Sequence, residues 1–167
     1  MIADLCLETY DQLTLPWSPG LDPARELFLG NCPVMMLDPR TYRDEVLPAD
    51  LYLRSQVRKF GLHHCGPMDR YLAAYQTLAP CEYVEVGWGS AIAQVRQAFP
   101  TTTLDLMINI PAVQAMSAGE LTETIRAMVA AAAPRALVRD LFLADIGPDV
   151  PDATVSNFVA AVNAAFA

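Results

Sequence analysis

Phe60-Gly61-Leu62-His63-His64-Cys65-Gly66 is an apolar run that closes on two histidines, a cysteine and a glycine, just ahead of a helical pattern over residues 68–78. Successive side chains leave opposite faces of a strand, so His63 and Cys65 share one face, with Cα atoms about 6.6 Å apart. An imidazole and a thiolate at that spacing can grip one borderline-soft ion, and zinc is the usual choice. The same residue types also pack at strand ends without a metal. The pair alone leaves both readings open. His64 faces the other way and reads as packed or hydrogen-bonded.

Outward from that strand the chain alternates short apolar runs with helical patterns, which predicts an α/β fold with a parallel sheet. A first strand is expected over residues 28–37, where Val34-Met35-Met36-Leu37 is continuously apolar. Asp38-Pro39 reads as an N-cap followed by proline in the first turn of a helix to about residue 59, which Pro48 bends or interrupts. Residues 81–86 form the next strand, ended by Gly87-Trp88-Gly89, with Ser90 capping a helix to residue 99. Residues 103–110 and 137–144 supply two more strands. Ser117-Ala118-Gly119-Glu120 is a capping box that opens a helix to about residue 133, and a last amphipathic helix covers residues 154–166. Residues 1–27 read as helix then loop, and residues 28–167 as one β/α domain. About five β-α units are too few for a closed eight-stranded barrel, which needs roughly 200 residues. They suffice for an open doubly wound sheet. Pattern alone does not choose between an open sheet and part of a barrel.

Composition narrows the function. With 167 residues and 53% apolar content, the chain can bury a core and is not disordered. Its 19 acidic residues against 11 basic ones give a net charge of −8, and Lys59 is the single lysine. No basic cluster exists to displace counterions, so nucleic acid is not an expected partner. No apolar run reaches the roughly 18 residues of a membrane span. The first residues are acidic and lack the basic region of a secretory signal, so the four cysteines are expected as reduced thiols in a cytoplasm.

Several segments carry a family resemblance. Gly30-Asn31-Cys32, Met36-Leu37-Asp38-Pro39, Tyr42 and Val46-Leu47-Pro48 resemble the strand end and "SP..Y..FVLP" helix start of the uroporphyrinogen decarboxylase superfamily. Residues 60–66 look like its "H-x-C-G" strand. Asn109-Ile110-Pro111 with Ser117 to Leu121, and Ala144 to Pro148 with Pro151 and Asn157, look like its "N-x-x-P … TPEE" and "G-I-P … P-x-x-N" segments. The match runs from about residue 28 to the end. It implies the C-terminal half of a (β/α)8 TIM barrel, about strands four to eight, which is either a truncated piece or closes by dimerisation or with a second half-barrel chain.

Two chemistries occur in that superfamily. Its decarboxylases remove acetate carboxyls from a tetrapyrrole without a cofactor, through Arg and Asp residues that lie mainly in the N-terminal half. Its zinc-dependent methyltransferases move a methyl group between a corrinoid protein and a thiol, using the H-x-C pair, a glutamate on the next strand and a later cysteine. The resemblance to the second branch implies Zn2+ held by His63, Cys65 and Glu85, with Glu85 also catalytic, and no nucleotide cofactor. Asn109, at a strand end, and Trp88, in its glycine-flanked turn, are expected to meet substrate. Near Ala144–Gly147, where those methyltransferases carry their last cysteine, this chain has Asp145 instead. The position of Cys32 relative to the pair is left open. The alternative readings are a tetrapyrrole decarboxylase and an inactive or binding half barrel.

Overall fold

A computed structural model describes residues 26–166. The expected segment 1–27 lies outside them, apart from its last two residues. Five strands, β1 (Glu26–Gly30), β2 (Lys59–His64), β3 (Tyr83–Val86), β4 (Thr103–Asn109) and β5 (Val138–Ala144), form one parallel sheet in the order β1-β2-β3-β4-β5. Each connection steps to the next neighbour, and the order never reverses.

That order separates the two architectures that pattern left open. A doubly wound sheet reverses direction and carries helices on both faces. Here Phe60, Leu62, Val84, Val86, Leu104, Leu106, Ile108 and Val138 share one core cluster with the helical Tyr71, Leu72, Val95, Leu121, Ile125 and Phe158. His63, Tyr83, Glu85 and Phe28, of the opposite parity, are not in that cluster. Among the described residues, helices therefore cover one face of the sheet, the arrangement of a β/α-barrel segment. Among the described residues β1 and β5 each pair with a single neighbour.

Local chemistry shapes the connections. The first strand stops at Gly30, short of the expected residue 37, because Cys32–Met36 turns into a 3-10 helix with Pro33 at its start. Pro33 has no N–H to offer a ladder, so the strand breaks there. Val34 is buried by the turn and Met36 is left exposed. Asp38 caps the next helical turn by accepting from the Arg40 N–H at 2.8 Å. A wide turn over Tyr42–Val46 then leads into α1 (Leu47–Ser55), with the Leu47 N–H reaching back to the Tyr42 carbonyl. Pro48 sits in the first turn of α1, and the missing proline donor is absorbed by that widening.

Residues 68–78 fold as short helical pieces around α2 (Leu72–Tyr75). Ser90 does not cap α3 (Ile92–Ala98), contrary to expectation. Its hydroxyl donates to the Gly87 carbonyl at 2.8 Å, while Asp69 accepts from the Ala91 N–H. After α4 (Ile110–Ala115), the expected capping box is formed: Ser117 and Glu120 exchange hydrogen bonds at the start of α5 (Ala118–Ala131). The chain closes on α6 (Asp152–Phe166). No helix among the described residues is long and apolar enough to cross a membrane.

One buried cation ties these connections together. Arg96 donates to the carbonyls of Ala132 (2.9 Å), Phe99 (2.9 Å), Thr102 (2.7 Å) and Leu137 (3.1 Å). These groups end α3 and α5 and begin β4 and β5, so one guanidinium serves four strand and helix boundaries. Arg96→Met keeps the apolar stem but removes every donor, and the urea unfolding free energy should fall by about 3 kcal/mol.

Candidate metal centre

The sheet register places three chain segments side by side at the C-terminal end. Gly30 pairs with His63, and His63 pairs with Glu85. Cys32 lies two residues beyond Gly30, as Cys65 lies two beyond His63. The Asn31 N–H donates to the His63 carbonyl at 3.0 Å, extending the β1–β2 ladder into the turn that carries Cys32.

The donor atoms converge on one side of the His63 ring. Nε2 is 3.0 Å from Cys32 Sγ and 2.9 Å from Cys65 Sγ. These atoms all lie within 4.8 Å of one another, and all three residues are partly buried. On the opposite side of the ring, Nδ1 is 2.6 Å from Glu85 Oε2. A carboxylate only accepts, so the Nδ1–H donates to Glu85 and Nε2 is the ring nitrogen turned to the sulfurs. Phe28 packs edge-on against the imidazole, with ring centroids 5.8 Å apart. The thiol of Cys65 is pushed up to about 12, first by burial and then by Cys32, Asp145 and Glu85. An imidazole beside two thiols, held by a carboxylate, is a donor set that could hold a metal ion.

His63 and Cys65 thus come together as their spacing requires. Glu85 meets the cluster through the imidazole, and Cys32 supplies the third converging donor. Asn109 stands at the end of β4, where its side chain accepts from the Ala112 N–H at 3.0 Å and caps α4. Trp88 packs against the core and lines an apolar cleft of about 200 Å³ with Val86, Met107, Thr124 and Met128. Asp145 follows β5 with a positive φ of 61°, which aspartate tolerates better than most residues. It is exposed, yet near enough to raise the Cys65 pKa.

Neighbouring groups hold the site from both faces. On the helical face His64 is fully buried between Tyr71 and Tyr75, with Nδ1 2.9 Å from the Tyr75 hydroxyl. Burial pulls its pKa down to about 4, so it is neutral near pH 7. On the open face, Arg139 stacks over Tyr83 at 4.4 Å and pairs with the buried Asp105, which stands in register beside Glu85. Tyr83 lies across Gly61, where a Cβ would stand 2.5 Å from the ring.

A one-sided parallel β/α sheet with a thiol–imidazole cluster at the C-terminal ends of its strands has the layout of barrel enzymes, whose sites are built at that end. No family model and no curated protein matches the chain. Among solved structures, the fold is similar to that of a methyltransferase from Methanosarcina mazei, with a TM-score of 0.62 and 16% sequence identity. The similarity covers 87% of this chain and 43% of that one, so the chain spans less than half the length of the protein it matches.

Proposed function

We propose that this chain is the metal-binding half of a zinc-dependent methyltransferase acting on a thiol. The observation that carries the reading is the convergence of Cys32 Sγ, His63 Nε2 and Cys65 Sγ at the C-terminal ends of β1 and β2. The fold likeness to a methyltransferase and the H-x-C-G resemblance to the superfamily's corrinoid-dependent branch support it.

The donor set suits zinc: two sulfurs and one imidazole nitrogen, the count that catalytic sites use while keeping a fourth position for substrate. When bound, zinc would supply the positive charge that keeps a substrate thiol as its thiolate near neutral pH. Cys32 and Cys65 would be the anionic ligands, which leaves His63 neutral with Nε2 presented. Glu85 would hold the Nδ1 proton and fix the ring's direction. A corrinoid protein is the methyl donor that the superfamily resemblance suggests, and a homodimer or second half-barrel chain would complete the barrel.

The purified protein should carry one zinc per chain, and His63→Ala should lose it. Glu85→Gln should keep the fold and weaken zinc binding roughly 10- to 100-fold, because the ring would be less firmly aimed. A chelator competition titration reads both. Methyl transfer from a methylated corrinoid to a small thiol tests the activity. Absence of stoichiometric zinc, or turnover of a porphyrinogen in its place, would overturn the proposal.

A further inference from the structure

Directly behind Cys32, on the helical side of the sheet, lies a buried polar cluster that the metal centre does not use. Asn31 is 6% exposed and Asp50, on α1, is 5% exposed. The Asn31 side-chain amide donates to Asp50 Oδ2 at 3.0 Å and to the Tyr42 hydroxyl at 3.3 Å. The Tyr42 hydroxyl in turn donates to the same Asp50 oxygen at 2.8 Å. No cation pairs with Asp50 among the described residues, and burial raises its pKa.

A buried carboxylate without a cation is a poor way to stabilise a core, since a well-packed apolar side chain would often serve as well or better. What the carboxylate does achieve is geometric. Asn31 is held at three points: its amide by Asp50 and Tyr42, its N–H by the His63 carbonyl, and its carbonyl by the Val34 N–H at 3.2 Å. Cys32 is the next residue along the chain.

We propose that Asn31, Tyr42 and Asp50 are positioning residues that set where Cys32 Sγ stands relative to His63 and Cys65, and thereby set metal affinity. The inference rests on the metal-centre reading above. Its most direct target is Cys32, next in sequence to Asn31. His63 and Cys65 lie on β2 and at its end, held by the strand ladder, and the cluster's side chains reach that strand through Tyr75, which packs on Tyr42 and bonds His64.

The test is a double-mutant cycle on the full chain, read by zinc affinity from chelator competition and by the thiolate charge-transfer bands of the cobalt(II)-loaded protein. Asp50→Ala should weaken binding roughly 10- to 100-fold, the usual cost of losing outer support for a ligand, and should weaken the thiolate bands. In a Cys32→Ala background the same substitution should cost nothing further, because the group it positions is gone. Asp50→Asn, whose amide oxygen can accept both hydrogen bonds, should restore the bands and most of the affinity. Should Asp50→Ala fail to fold, Asn31→Ala takes its place in the cycle. Unchanged affinity, equal losses with and without Cys32, or an Asp50→Asn variant as weak as Asp50→Ala would each overturn the proposal while leaving the metal centre standing. A chain that binds no zinc at all would overturn both.

Discussion

Alanine in place of Gly87 is expected to lower the unfolding free energy by about 3 kcal/mol or more and to abolish metal binding. A Cβ on Gly87 would stand 2.3 Å from the His64 carbonyl oxygen, 2.4 Å from the Cys65 carbonyl carbon and 2.4 Å from the Gly66 carbonyl oxygen. All three are backbone atoms, so no side chain can rotate to make room. Relief requires moving residues 64–66, which carry Cys65. Stability and site geometry should therefore fail together. Gly119 provides the contrast: it lies in the exposed first turn of α5, and a Cβ there meets nothing within 4 Å. Gly119→Ala should stabilise by about 0.5–1 kcal/mol. Urea unfolding of both variants, followed by zinc titration, checks the pair. A Gly87→Ala protein of undiminished stability would mean that the β2–β3 end is looser than its contacts indicate.

Removal of Cys32 should weaken zinc binding roughly 100- to 1000-fold. Structural zinc sites hold the ion with about 10–16 kcal/mol over four ligands, so one ligand accounts for about 3–4 kcal/mol. Cys81→Ala is the matched control, because Cys81 is buried in the core and its thiol lies 3.9 Å from the Leu78 carbonyl. It should cost stability and leave affinity alone. Binding should also depend on pH with a definite sign. The Cys65 thiol, raised to about 12, is protonated near neutrality and must lose its proton to bind. Cys65 alone should then make apparent affinity climb about tenfold per pH unit between roughly pH 6 and 8, with release of a proton on binding. Competition titrations across that range, with a pH indicator in weak buffer, read the slope and the proton. A flat profile would exclude Cys65 as a ligand.

Much of the frame was readable along the chain. The alternation of strand and helix and the capping box at Ser117 and Glu120 depend on neighbours a few residues apart. The misreadings have local causes too. Val34-Met35-Met36 looks like a strand because it is apolar, but Pro33 converts it to a turn that buries Val34 alone. Ser90 looks like a cap because it precedes a helix, yet its hydroxyl donates to Gly87 while Asp69, 22 residues back in the 3-10 turn before α2, takes the Ala91 N–H. The reach of Arg96 to four carbonyls was invisible, because its partners are as much as 41 residues away.

The same division runs through the site. From sequence alone, His63 and Cys65 share a face and His64 takes the other, because side-chain parity on a strand is a property of the backbone itself. The superfamily resemblance named Glu85 as a zinc ligand and catalytic group. Only the tertiary structure made Cys32 the third donor, 31 residues from His63, and set Glu85 on the far nitrogen of the ring, 22 residues away. Both outcomes follow from inter-strand register, Gly30 against His63 and His63 against Glu85. Register is settled where hydrophobic faces from separate segments meet their helices, and no local spacing encodes that meeting.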